Sequence, residues 1–544
     1  MKKININTKY IWLLAVLLTF TACESDDDST DGGMVDPLPA LIAGSANFSN
    51  YVALGDSNTS GMTDGALFVA GQQNSFPNLL SQKFALIGGG SFAQPLMNDN
   101  TGGLLLGGNQ IAPNRLVVTG FDAPIRLEEA IGPVTPTTDL LVNNPTGPFN
   151  NMGIPLAKSF HLLAPGYGNL GGLFTSPATA NPYFVRMTGT TPDATVLELA
   201  MGQNPSFFSL WIGSNDALGY ATSGGDGSSP LTDPALFDTV YNGLVATLTS
   251  GGAQGVVANI PYVTELPHFT AVTHDPLDPS DPNFGPLIPT LNTLFGALNQ
   301  VFTILDRPDR YMQFSTTANS AVVIKDETLD DLSAQITAVL NANPDFPAFL
   351  AQFGVPAVAA PAVANLLGIM YGQARKAKSS DLLTLSSGSI IGTVNADFFA
   401  FLQSQGLSPE VAGQFSVEGI TFPLGDTWVL IPSEQDEIKT MIDNYNTTIS
   451  SVATAAGLAF VDVKSIVQEM AESGYASDDF IFTAELVSGG AISADGLHGT
   501  ARGNVIVANE IMKAIDATYG SNFEAAGELL DVGDYPTNYS PLLP

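Results

Sequence analysis

Four short apolar runs constrain this chain more than any other feature of it: Tyr51–Leu54, Phe207–Ile212, Gly255–Ile260 and Leu458–Asp462. The first two run straight into a glycine, Gly55 and Gly213. Short apolar runs bounded by turn residues read as parallel strands covered on both faces. Helical patterns lie between them. Thr232 or Asp233 caps a helix with Pro234 in its first turn, and Leu236, Val240, Leu244 and Leu248 recur every fourth residue. Ser433 with Asp436 reads as a capping box, and Ile438, Ile442, Tyr445, Ile449 and Val452 form one stripe that ends at Gly457. A last helix is expected from about Asn504 to Ala517. Strand–helix alternation of this kind argues an α/β/α sandwich. Two stretches break the rhythm. Residues 62–148 are rich in Gly, Pro and Asn, and residues 262–432 contain extra helices and no clear strand of the main sheet. In the second stretch Leu291, Leu294, Phe295, Leu298, Val301, Phe302 and Leu305 make one apolar stripe, and Leu329, Leu332, Ile336 and Leu340 another. Two expectations follow: these faces bury against themselves and the sheet, or they form a cap that lines a pocket beside the strand ends.

Charge excludes one class of partner. With 18 Lys+Arg against 52 Asp+Glu, the net charge of −34 repels a phosphate backbone, so nucleic acid is not an expected partner. The one cysteine excludes a disulfide framework and a thiolate metal cluster. It stands at Cys23, after Lys2, Lys3 and Lys9 and an apolar run, Ile11–Ala22, too short to cross a bilayer as a helix. Phe20-Thr-Ala-Cys23 resembles the lipobox of bacterial lipoproteins, with Phe20 where Leu is usual. The resemblance implies a signal peptide over 1–22 and a lipidated Cys23 holding the protein to a membrane. The alternative is an ordinary secretory signal with a chance cysteine. Residues 23–47 read as a disordered tether. Its opening, Glu24-Ser-Asp-Asp-Asp28, resembles the surface-export signal of some Gram-negative lipoproteins. A cell-envelope, outer-membrane and surface-exposed location is the corresponding expectation.

The chemistry sits at the strand ends. The first run continues into Gly55-Asp56-Ser57-Asn58-Thr59-Ser60-Gly61, a tight segment able to present a serine at the carboxyl edge of a sheet. Alone it is equally an Asp/Ser helix cap. It is not a Gly-x-Ser-x-Gly elbow, since residue 59 is Thr, which disfavours an α/β-hydrolase. Near the other end lies Asp495-Gly-Leu-His498, a base with a carboxylate three residues before it. Of the other histidines, His161 sits in Ser-Phe-His-Leu-Leu and reads as packed on a helix, while His268 and His274 lie in a Pro-rich stretch. Gly213-Ser-Asn215-Asp216 follows another strand, where Asn215 suits an oxyanion donor or a simple turn cap.

In this order and on these elements, the three motifs resemble the SGNH (GDSL) hydrolase family. The flanks Tyr51–Ser57, Val256–Pro261 and Asp495–Gly503 also look like the family's segments. The resemblance implies a flavodoxin-like three-layer α/β/α sandwich with a five-stranded parallel sheet, plus a large, mainly helical insertion. It covers a hydrolase core over 48–262, with the loop-rich insertion 62–148 inside it, and over 431–520. The helical insertion is 263–430, and 521–544 is a C-terminal tail. Carried over, Ser57 is the nucleophile and, through its N–H, a first oxyanion donor. Asn215 is a second donor, and His498 is the general base oriented by Asp495. Asn151-Met-Gly-Ile-Pro-Leu156 matches the segment that carries the family's oxyanion glycine, with Leu156 in that glycine's place and Gly153 as a neighbouring alternative. The implied activity is hydrolysis of carboxylic esters, acyl or acetyl, on a small-molecule, lipid or glycan substrate. The family needs no cofactor and no metal, and Asp275, Asp278 and Asp281 read as a solvated loop. The alternative function is a non-catalytic surface binding lipoprotein on the same scaffold.

Overall fold

The computed structural model describes residues 37–120 and 123–543. The signal peptide, Cys23 and most of the expected tether lie outside the described residues. The fold is α/β, built on an all-parallel five-stranded sheet of β1 (Tyr51–Gly55), β2 (Asn151–Gly153), β3 (Phe207–Trp211), β4 (Gln254–Ala258) and β5 (Ala459–Val461). The order across the sheet is β5-β4-β3-β1-β2. Every residue of β1 and β3 is buried, which is why these runs are continuously apolar instead of alternating. Because β2 lies outside β1, the chain reverses its direction of travel between β1 and β3. A crevice opens there at the carboxyl ends of the strands.

Helices flank these strands: α1 (Ser57–Ser60), α2 (Phe76–Ala85), α3 (Ser214–Thr222) and α4 (Pro234–Thr249). Asp233, not Thr232, caps α4, accepting from the Ala235 and Leu236 N–H groups at 2.9 and 3.2 Å. The buried face of α4 is Phe237, Val240, Tyr241, Leu244 and Leu248, while Leu236 is exposed. A strict every-fourth-residue stripe drifts around a helix of 3.6 residues per turn, and the core takes the 3–4 spacing instead.

Between β4 and the final elements, Leu277 to Ile431 form a second apolar core, distinct from the one around the sheet. It contains α5 (Ile288–Ile304), α6 (Ser333–Ala342) and α7 (Ala360–Tyr371), with an antiparallel pair, Val323–Lys325 against Ala374–Lys376. Leu291, Leu294, Phe295, Leu298, Val301 and Phe302 of α5 are all buried in it, as are Ile336 and Leu340 of α6. The chain returns through α8 (Pro432–Ala456), α9 (Val463–Glu472) and α10 (Ala501–Tyr519). The α8 stripe is buried as expected, but its cap differs. Glu434 accepts from the Ile431 N–H at 2.9 Å, and the Ser433/Asp436 box does not form. Helix α10 starts at Ala501 because Thr500 Oγ1 accepts from the Gly503 N–H at 3.1 Å.

Two expected boundaries move. Residues 41–46 are not tether: the Ile42 N–H donates to Asn522 Oδ1 at 2.7 Å, the Ser45 N–H donates to the Tyr519 carbonyl at 2.8 Å, and Ala46 is buried. Residues 521–543, read as a C-terminal tail, pack against the rest of the fold. Phe523 and Val532 are fully buried, and the buried Arg115 donates to the carbonyls of Tyr539 and Ser540 at 3.3 and 2.6 Å. Among the described residues no helix is long and apolar enough to cross a membrane.

Candidate active site

The turn after β1 admits little variation. A Cβ on Gly55 would lie 2.1 Å from Thr59 Oγ1 and 2.3 Å from the Trp211 carbonyl, so only glycine lets α1 start against β3. Asp56 then caps the turn, accepting from the Asn58 N–H at 3.0 Å. Ser57 becomes the first residue of α1, at the crevice, and is 3% exposed.

The motif 441 residues away meets it. His498 Nε2 lies 2.8 Å from Ser57 Oγ, and His498 Nδ1 lies 2.7 Å from Asp495 Oδ2. The three groups form one hydrogen-bonded chain. Asp495 is held from several sides. Its Oδ1 accepts from the Leu497 and His498 N–H groups at 2.8 and 2.9 Å and from Ser493 Oγ at 3.0 Å. Its Oδ2 also accepts from the Gly65 N–H at 2.6 Å. Burial alone would raise this carboxyl, but the neighbouring His498 and these donors outweigh it and hold Asp495 below the ordinary carboxylate range. His498 shows the converse. Burial pulls it down, yet the charge and hydrogen bond of Asp495, with Asp56 and Asp64 behind them, leave it raised.

Asp64 and Gly65 were not legible as site residues, since they fell in the loop-rich stretch. The Asp64 N–H donates to Ser493 Oγ at 3.0 Å and its Oδ1 accepts from the Ala494 N–H at 3.1 Å, which clamps the acid-bearing loop. Burial pushes Asp64 up to about 7. His268 is the other surprise. Its N–H donates to the Gly496 carbonyl at 3.1 Å, and its ring Nδ1 lies 3.3 Å from the Asp495 carbonyl. His161 stays apart, accepting from the Lys158 N–H at 3.0 Å and stacked on Tyr167.

Asn215, in the first turn of α3, donates from Nδ2 to the Ala157 carbonyl at 3.2 Å. The next residue, Asp216, accepts from the Ser159 N–H at 2.7 Å and from Ser159 Oγ at 2.8 Å. Together they staple the segment after β2 to α3, with Leu156 inside that segment. Leu156 has φ +66° and is 59% exposed. It therefore holds the left-handed conformation that a glycine would take freely, at a cost of about 1–2 kcal/mol. Gly153 plays a different part. Its N–H is already given to Asn151 Oδ1 at 3.0 Å, and a Cβ there would lie 2.3 Å from the Ser60 nitrogen.

Ser57, Asn215 and His498 open onto one cavity of about 90 Å³. Its remaining wall is mostly apolar: Val263 and Leu266 after β4, Ile466, Val467 and Met470 of α9, and Leu497 beside the base. Among the described residues none from 277–431 lines it, so of the two expectations for this stretch the cap is not found at this cavity. The stripes that suggested it are used up in the second core. No protein-family model matches the chain, and no curated protein or solved structure matches it either.

Proposed function

We propose that the protein is a serine esterase of SGNH type, hydrolysing carboxylic esters at the cell envelope. The observation that carries this reading is the unbroken Asp495–His498–Ser57 chain, with contacts of 2.7 and 2.8 Å, ending at an apolar cavity. The strand order, with β2 outside β1, agrees with a flavodoxin-like sandwich, and residues 277–431 agree with a helical insertion carrying its own core.

In the proposed reaction Ser57 Oγ attacks the ester carbonyl carbon while its proton passes to His498 Nε2. Asp495 stabilises the imidazolium without taking the proton. The charge on the carbonyl oxygen is met by the Ser57 N–H and by the second N–H of the Asn215 amide, whose first is given to Ala157. The Leu156 N–H is the proposed third donor. His498 returns its proton to the leaving alcohol, and water then repeats the sequence on the acyl-enzyme. The aliphatic wall of the cavity favours an acyl chain over an acetylated sugar. Lipidation at Cys23 would place this site on the outer membrane, and Cys23→Ser should then release the protein from the membrane fraction.

The deciding experiment is labelling with a fluorophosphonate probe, together with hydrolysis of p-nitrophenyl esters of increasing chain length. Labelling at Ser57 alone, lost in Ser57→Ala, is the expected result. Labelling at another serine overturns the triad assignment, and no labelling together with no hydrolysis of any ester leaves the binding-protein reading in its place.

A further inference from the structure

The segment after β2 turns back at Pro155-Leu156. The Ala157 N–H donates to the Ile154 carbonyl at 3.1 Å, which closes a four-residue turn with Pro155 second and Leu156 third. Proline holds its own φ near −65°, and Leu156 has φ +66°, so the turn is of type II. The third position of such a turn belongs to glycine or, at less cost than for other side chains, to asparagine. Among the described residues the other non-glycine residues at positive φ are Asp or Asn, with Val487 the one further exception. Backbone preference therefore argues against leucine at 156. Packing does not argue for it. Ile154, Pro155 and Ala157 are buried, Leu156 is the exposed residue of the turn, and it belongs to none of the apolar clusters among the described residues.

The turn is pinned on every side. The Ile154 N–H donates to the Gly55 carbonyl at 3.0 Å, Asn181 Nδ2 to the Pro155 carbonyl at 2.8 Å, and Asn215 Nδ2 to the Ala157 carbonyl at 3.2 Å. These bonds keep a strained residue with an exposed apolar side chain next to Asn215 and the nucleophile's turn. Strain held in place with no gain in packing points to a use in the folded molecule. Topology narrows that use. The catalytic cavity extends from Ser57 over the ends of β3, β4 and β5, walled by Val263, Leu266 and α9, and Leu156 is not in its wall. Leu156 follows β2, on the other side of β1. An ester carbonyl at Ser57 with its acyl chain in the cavity carries its alcohol half outside it, toward β2.

We infer that Leu156 is a specificity-determining residue that contacts the alcohol half of the ester, and that the alcohol it selects is apolar, an alkyl or aryl group instead of a polyol or sugar. An exposed leucine gains by covering apolar surface, and it offers a hydroxyl-rich group no hydrogen bond. The inference rests on the esterase reading and adds to it the chemistry of the leaving group.

The experiment compares two esters of one acid, hexyl butyrate and glyceryl monobutyrate, on the wild type and on Leu156→Gly, Leu156→Ala and Leu156→Met. All three variants keep the N–H at 156. The wild type is expected to prefer the hexyl ester. The ratio of its kcat/KM to that of the glyceryl ester should fall about five- to tenfold in the Gly and Ala variants, the weight of one partly covered leucine side chain, and return in Leu156→Met. The unfolding midpoint of Leu156→Gly should hold or rise, because glycine takes positive φ without strain. A ratio unchanged in Leu156→Gly, with a wild type active and labelled at Ser57, overturns this inference alone. So does a ratio that falls in Leu156→Gly and is kept in Leu156→Ala, since the effect then belongs to the backbone. A wild type that hydrolyses neither ester overturns the esterase reading, and this inference with it.

Discussion

The sheet core and the 277–431 core are alike in apolar patterning and opposite in polar content near the crevice. Helix α8 buries Ile438, Ile442, Tyr445 and Ile449, and α5 buries Leu291, Phe295, Leu298 and Phe302, with the same spacing and the same completeness. Around the sheet, however, the chain also brings Ser57, Asn215, Asp495 and His498 to one edge and spends three backbone donors, from Gly65, Leu497 and His498, on Asp495. In the second core Arg375, Asp326 and Asp381 close on each other as a buried ion-paired group. An apolar stripe therefore says that a face is buried, and nothing about what the buried element is for.

The largest expected effect sharpens this contrast. Ser57→Ala should lower kcat by about 10⁴-fold or more with the unfolding midpoint little changed, measured as ester hydrolysis beside thermal unfolding. Phe302→Ala, deep in the second core, should do the reverse. It should cost about 3–5 kcal/mol of stability in denaturant titration and leave kcat/KM of the folded fraction intact. A matching loss of kcat/KM there would erase the division between the two regions.

Asn215→Ala comes next, at about 10²–10³ in kcat, the usual weight of one oxyanion donor. Chain-length preference follows. Met470→Phe, which narrows the apolar wall, should move preference toward shorter acyl esters by roughly tenfold, since a methylene or two of fit is worth that much. Leu298→Ala should move it not at all. A shift in the second variant and none in the first would restore the cap. The smallest effect concerns pH. His498 must be neutral to accept the Ser57 proton, and its folded pKa is raised, so activity should fall in acid with a limb above an ordinary histidine's. Asp64→Asn removes one of the negative charges that raise it. The limb should therefore move to lower pH, and a move to higher pH would contradict the arrangement.

Four of the five strands, the α8 stripe, Ser57 and the Asp495/His498 pair were legible because each is written locally, in runs or spacings of a few residues. Strand β2 was not legible as a strand from its apolar content. It is three residues, Asn-Met-Gly, paired to β1 by register instead of by an apolar run. Residues 41–46 and 521–543 lack a periodic pattern, and packing against the last helix and Arg115 orders them.

What the sequence by itself determined is which patterned segments are buried and which side chains carry a nucleophile, a base or a carboxylate at a suggestive spacing. Tertiary structure alone decided the rest: that Gly65 and Asp64 hold a loop 430 residues away, that His268 packs on it, and that α9 rather than the large insertion walls the cavity. The physical reason is that burial preference is a property of each side chain and its near neighbours. A hydrogen bond between distant residues depends instead on the path of the whole chain between them.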